Sequence, residues 1–482
     1  MRGTTPGVLV VVVVALIGLL SGCAVEIPGY ARAVGEVDPG TVAGLPVSQG
    51  PSGPVPGVPD AQLRVDNADG GDMDRLAVDA VADVQEYWAQ ALPAGFNGAR
   101  FKPITRLVSF DSAGRPVEVC HTSTAGLVNA FYCGLDDSVS WDRGELLPQL
   151  NQALGPMAVV VVFAHEIGHA VQFRLGPASH IDQATPSIVK EQQADCYAGN
   201  FMRWVAEGHA QHFRLSTGAG LNKVLAALFS VRDPSGATFS MQNAHGSAFD
   251  RVFAFQTGFA ANPQRCAAID LNEIQRRATE TAFTPQDTNG GNLPINEQTL
   301  ALLQRSLQFA FRQSGAVPPT FRTGGATCPD ARSTDPASYC PATNTIILDV
   351  ARLARIGTPP SRRGQGGGGG IGDFAAFGEV ASRYALSVEK AVGLRLDDPN
   401  AGLRTACLTG AWAGIAGQVE DPQNPLRLSP GDLDEAIAEL LADGGLIASD
   451  VNGQQVPAGF ARVEAFRIGY LQGSGACTAK FG

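Results

Sequence analysis

The strongest chemical signal in the chain is His165, Glu166 and His169, set in Ala164-His165-Glu166-Ile167-Gly168-His169-Ala170-Val171-Gln172. On a helix the two histidines stand at i and i+4, on one face with Cβ atoms ~5–6 Å apart, so both imidazoles can reach one metal ion. Glu166 lies one residue round, beside such an ion rather than on it. A zinc ion held by neutral ligands keeps a position open for water and lowers its pKa to ~7. A neighbouring carboxylate can then take the water proton as general base and pass it to a leaving amine as general acid.

A third ligand is needed, and Glu191-Gln192-Gln193-Ala194-Asp195 follows with two carboxylates again at i and i+4. Glu191 can complete a His-His-Glu set, while Asp195 can accept a hydrogen bond from the outer nitrogen of a ligand histidine and fix its tautomer. By itself such a charged pair reads as a solvated helix face; coupled to the histidines it reads as part of a site. The chain holds only seven histidines, and His121, His180, His209 and His212 show no partner pattern and are expected at the surface. The element that must carry the first motif is the apolar run of residues 157–163, whose length and composition suit a buried helix.

Together, residues 164–172 and the segment Glu191-Gln192-Gln193-Ala194-Asp195-Cys196-Tyr197-Ala198-Gly199 resemble the bacterial neutral zinc metallopeptidases, and more widely the gluzincins. Phe131-Tyr132-Cys133 and His245-Gly246-Ser247 before Arg251 agree with that resemblance, which covers about residues 75–285. It implies an α-helical peptidase core with a small β segment, Zn2+ held by His165, His169 and Glu191, and Glu166 as the catalytic residue. His245 is a further catalytic candidate, because a donor to the tetrahedral oxyanion is needed and a histidine can supply it. A turn residue in His-Gly-Ser is the plainer reading of the same position.

The N-terminus reads as an export signal: Arg2, an apolar run over residues 8–20, then Leu20-Ser21-Gly22-Cys23. The last four resemble the lipobox of bacterial lipoproteins, which implies a leader of residues 1–22 and acyl chains on Cys23 that hold the protein on the outer face of the cell membrane. No other segment reads as long and apolar enough to span. Residues 23–74 are expected as the acylated terminus and a flexible tether, since residues 24–59 are rich in Gly, Pro, Val and Ser without a helical or strand period. A formal net charge of -11 with 17% charged residues argues against a nucleic-acid partner. The implied partners are a peptide or protein substrate and, through Cys23, the membrane; the oligomeric state is not encoded.

The remaining eight cysteines allow 105 pairings, but their spacing repeats. Cys120 to Cys133 spans 13 residues and Cys328 to Cys340 spans 12, while Cys196 to Cys266 and Cys407 to Cys477 both span 70. Arg251, Phe255, Gly258 and Cys266 lie 211 residues before Arg462, Phe466, Gly469 and Cys477. Such matches away from cysteine point to an internal repeat, and the pairing that both copies can share joins each cysteine to the next in the chain. The expected fold is mainly α with small β segments (α+β), as two tandem zincin-like domains at residues 75–285 and 295–482. In the second copy Leu386, Ser387 and Lys390 fall where His165, Glu166 and His169 do, and Gly402 and Ala406 where Glu191 and Asp195 do. That copy reads as degenerate and metal-free, packing on the first and shaping its cleft. The glycine-rich residues 362–372 lack the Lys-Ser/Thr ending of a phosphate loop and read as a flexible loop. Beside peptide-bond hydrolysis two alternatives stand: an inactive binding or scaffold lipoprotein, and a zinc amidase acting on cell-wall cross-links.

Overall fold

In the computed structural model, which describes residues 38–324, 327–360, 369–418 and 423–482, small sheets and helices alternate along the chain. Three short strands come first, β1 (Thr41–Val42), β2 (Leu45–Pro46) and β3 (Gly53–Pro54), then α1 (Asp72–Gly95) and β4 (Arg106–Phe110). After the two-strand ribbon β5 (Glu118–Val119) and β6 (Thr122–Ser123) come β7 (Ala130–Cys133), β8 (Ser138–Asp142), α2 (Leu146–Leu154), α3 (Pro156–Leu175) and α4 (Ser187–Ala206). The first half closes with β9 (Phe213–Arg214), α5 (Ala219–Ser230), α6 (Ala248–Ala260), α7 (Pro263–Ala267) and α8 (Leu271–Arg277). The second half runs α9 (Glu297–Ala310), β10 (Thr320–Thr323), β11 (Ala337–Cys340), β12 (Thr345–Leu348), α10 (Val350–Ile356), α11 (Asp373–Ala391), α12 (Ala401–Ala416), α13 (Asp432–Leu441), α14 (Gly459–Gln472) and α15 (Ser474–Phe481).

The apolar run of residues 157–163 is helical. Pro156 opens α3 at a position whose N–H has no intrahelical partner in any case, and the run is buried except at Val162. By length and composition Pro156–Ser179 could cross a membrane, which corrects the expectation that nothing beyond the leader could. Its burial makes it the core helix of the first half, packed on α1, α2 and α4, with Trp141 set edge-on against Phe163. The leader and Cys23, and most of the glycine-rich loop, lie outside the described residues.

The two three-stranded sheets share one plan. In β4-β8-β7 the first pair is parallel and the second antiparallel, and β10-β12-β11 repeats both the order and the directions. Disulfides join Cys120 to Cys133, Cys196 to Cys266, Cys328 to Cys340 and Cys407 to Cys477. Each half also contains one very close helix crossing. A Cβ on Gly258 would lie 1.7 Å from the Cys196 carbonyl oxygen, and one on Gly469 would lie 1.7 Å from that of Cys407, so only glycine permits α4 to meet α6, and α12 to meet α14.

Two expectations change. Residues 41–54 are not part of a free tether: β3 pairs with β9, Val42 is buried, and the Ser48 and Ser52 hydroxyls bond to Thr217 and Ser216. A Gly/Pro-rich composition removes helical and strand periodicity, but it does not prevent short strands from pairing with a distant partner. Nor do the halves fall into two separate bodies. The described residues beyond the leader form one compact unit, with α13 and α14 packed on α5 and α6. Gln256 donates to the Phe460 carbonyl at 2.8 Å, and Gly459 N–H donates to Asn222 Oδ1 at 2.7 Å.

Candidate metal centre

Helix α3 presents His165 and His169 one turn apart, and α4 crosses it so closely that a Cβ on Gly168 would stand 3.1 Å from the Ala194 Cα. That approach brings Glu191 between the imidazoles: His165 Nε2 lies 3.2 Å from Oε2 and His169 Nε2 lies 3.6 Å from Oε1. One donor atom from each of the three residues falls within 4.8 Å of the others. The outer nitrogens are already engaged. His165 Nδ1 donates to Asp195 Oδ1 at 2.8 Å and His169 Nδ1 to Gln172 Oε1 at 3.1 Å, the tautomers following from the acceptors opposite them.

With both Nδ1 positions donating, both Nε2 lone pairs face a carboxylate that also offers only lone pairs. Such a convergence needs a positive charge at its centre, and the donor set of two neutral imidazoles and one carboxylate matches the His2Glu ligands of a catalytic zinc site. Titration agrees. Burial lowers the His165 pKa, but the Asp195 charge and hydrogen bond, then the Glu191 hydrogen bond, outweigh it and push it up to about 10. His169 is likewise raised against its burial, by Glu191. Burial lifts Glu191, yet His169 and His165 hold it well below the usual carboxylate range.

Asp195 is fully buried and clamped by Arg251, with Nε to Oδ2 at 2.9 Å and Nη2 to Oδ1 at 2.8 Å. Burial raises its pKa, and Arg251, then His165, bring it below the usual value. It therefore stays ionised and keeps the His165 ring oriented. Glu166 stands outside the cluster with its Oε2 accepting the Tyr132 N–H at 3.0 Å. Burial raises its pKa, offset in part by the two histidines.

The cluster opens into a cavity of about 560 Å³. It is lined by residues 129–132 on and before β7, the edge strand of its sheet, and by Leu228 and Val231 at the end of α5. His245 lines the same cavity, apart from the three clustered donors. Its Nδ1 lies 3.2 Å from Asp233 Oδ1, and its backbone N–H donates to Asp233 Oδ2 at 2.7 Å; the hydrogen bond to Asp233 raises its pKa. Every proposed site residue in the described chain thus lies in or against one cavity. Arg251, Asp233 and Gln172 are the partners that sequence reasoning missed. Gln172 carried a signal, three residues past His169 on the same helix; Arg251 stood out in the family resemblance and the repeat but without this role, and Asp233 carried none. His212, expected at the surface, is buried with its Nδ1 2.5 Å from Asp83 Oδ1.

In the second half the matching helices hold no such set. Leu386 and Ser387 are buried on α11, Lys390 Nζ bonds to the Pro341 carbonyl oxygen, and Gly402 and Ala406 are buried on α12.

A pair of helices that brings two histidines and a glutamate together, with a second glutamate beside them, defines a candidate metal-binding scaffold. The chain belongs to the family described as "Putative neutral zinc metallopeptidase", whose model matches residues 4–269. Uncharacterized proteins of Mycobacterium tuberculosis and Mycobacterium bovis are similar to it, each 29% identical over 171 residues, which cover 30% of this chain and 57% of the relative. The chain therefore spans little more than half the length of these curated relatives. No solved structure matches it.

Proposed function

We propose that this chain is a lipid-anchored, extracytoplasmic zinc metallopeptidase that hydrolyses peptide bonds in the cavity above His165, His169 and Glu191. The observation that carries the reading is the position of Glu166: a carboxylate beside three converging lone-pair donors, at the wall of an open cleft. Zinc bound there would polarise a substrate carbonyl and acidify a water. Glu166 takes the proton of the attacking water and delivers it to the leaving amine. Its Oε2 is held by the Tyr132 N–H, which leaves Oε1 to exchange the proton. His245, steadied by Asp233, donates to the oxygen that gains charge. β7 is the edge strand of its sheet, and apart from the Tyr132 N–H that Glu166 engages, its outer backbone groups suit an extended peptide.

The anchor rests on the leader and Cys23, and the second half is read as a degenerate copy that supports the first. Equal sheet plans, equal disulfide spacing and the two matching glycine crossings favour that duplication. The test is zinc stoichiometry by elemental analysis together with hydrolysis of a peptide mixture, on wild type and Glu191→Ala. One zinc per chain and turnover, both lost or much weakened in the variant, is the expected result. Protein purified without chelator that binds no zinc would overturn the reading in favour of a scaffold lipoprotein.

A further inference from the structure

Two of the most exposed large apolar side chains in the described structure lie just past the cavity, each a few residues along the chain from one that lines it: Phe173 from His169, and Leu135 from Tyr132. Phe173 is 63% exposed and Leu135 is 77% exposed. Phe173 lies one helical turn beyond His169 on α3, on the face that carries both ligand histidines. Leu135 follows β7 in the turn to β8. Gly134, next to Leu135 in the turn, lies near both the Phe173 and the Tyr132 rings: a Cβ there would be 3.9 Å from Phe173 Cδ2 and 3.9 Å from Tyr132 Cε1, and Tyr132 lines the cavity.

The exposure is not that of a loose loop. Arg174, nearly buried at the end of α3, donates through Nη2 to Asp137 Oδ1 at 3.0 Å and Oδ2 at 3.2 Å, and the Tyr132 hydroxyl donates to the same Oδ1 at 3.0 Å. The β7–β8 turn is thereby fixed against α3, with the two apolar side chains held in water. Large apolar groups grouped beside a cleft mark a binding surface more often than scattered ones do.

We propose that Phe173 and Leu135 form an apolar platform at the end of the cleft, so that the substrate class is peptides with a leucine, phenylalanine or similarly large apolar residue near the bond cut. This rests on the peptidase reading above. The register takes the bound peptide to run along the α3 axis. A helix rises 1.5 Å per residue, which sets Phe173 ~6 Å along the axis from His169, and an extended peptide on the β7 edge advances ~3.3 Å per residue. The apolar residue therefore falls about two or three positions from the scissile bond.

The experiment steps Leu, Phe, Ser and Glu through each of three positions on both sides of the cleaved bond in quenched-fluorescence peptides. The zinc-loaded chain is compared with Phe173→Ser, Leu135→Ser and Phe173→Leu. The wild type is expected to prefer the apolar residue over serine about tenfold in kcat/KM at one position two or three residues from the bond. The serine variants should bring that ratio towards one, and Phe173→Leu should keep it. Both side chains are exposed, so these substitutions leave the core intact. Cleavage with no apolar preference at any position, or a preference that survives both serine substitutions, would overturn the platform and leave the peptidase reading standing. A zinc-loaded wild type that cleaves none of the peptides would overturn both.

Discussion

Glu166, half-buried at the cavity wall, and the fully buried Asp195 are both carboxylates near His165, and their surroundings give them opposite tasks. Glu166 has one backbone donor and a raised pKa, so it can accept and release a proton. Asp195 has Arg251 on both oxygens and a lowered pKa, so it keeps its charge and orients a ring. Glu166→Gln preserves shape and an acceptor for the Tyr132 N–H while removing the base. It should lower kcat by about 10²–10⁴-fold with zinc stoichiometry unchanged, read by steady-state kinetics and elemental analysis. Asp195→Asn should act on the metal instead, because the histidine loses a charged partner and Arg251 is left buried without its counter-ion. Zinc affinity should fall about 10–100-fold in a chelator competition, and stability should drop by about 3–5 kcal/mol in denaturant unfolding.

Among the elements, the crossing of α4 over α6 sets the distance between the residues just discussed: Glu191, Asp195 and Cys196 lie on α4, while Arg251 and Gly258 lie on α6. Gly258→Ala places a methyl within covalent distance of the Cys196 carbonyl oxygen, so the helices must part. The expected loss is about 3 kcal/mol, together with weaker zinc binding because the Arg251–Asp195 clamp opens. Thermal unfolding and the same chelator competition check both. The sequence disclosed α3 and α4 because a helix writes its faces into i, i+4 spacing, and His165, His169, Glu191 and Asp195 are all legible that way. Arg251 reaches Asp195 from 56 residues away and Asp233 reaches His245 across a loop, so no local period records either contact. The strand Gly53–Pro54 was hidden for the same reason, since its partner Phe213–Arg214 is far along the chain. His212 reads as a surface residue until Asp83 is placed beside it by the fold.

Across the whole molecule the two halves meet through polar groups as well as apolar ones, and Glu280 is a bond between them. Its Oε1 accepts the N–H of Gly236, between α5 and α6, at 2.5 Å, and its Oε2 accepts that of Gly431, at the start of α13, at 3.3 Å. Burial, with Asp434 and Asp250 nearby, pushes its pKa up to about 7 despite those donors. A carboxyl whose folded pKa is raised favours the protonated fold. Its contribution is therefore full below the unfolded value near 4.5 and is lost as pH climbs to about 7. The loss amounts to something on the order of 2–3 kcal/mol. Arg232 also ties α5 to Asp434 on α13 at 2.9 Å, so loosening at Glu280 would be felt next to Val231 in the cleft wall. Glu280→Gln keeps an acceptor for the Gly236 N–H, gives up the longer bond from Gly431, and cannot ionise. Wild type and variant should be nearly equal in denaturant unfolding at pH 4, below the unfolded value, and the variant should be the more stable at pH 8 by that amount. Zinc loading is held the same in both chains, so the metal site's own pH dependence cancels in the difference. Equal stability of the two at pH 8 would mean that Glu280 ionises in the fold at no cost, with water or a cation reaching the joint between the halves.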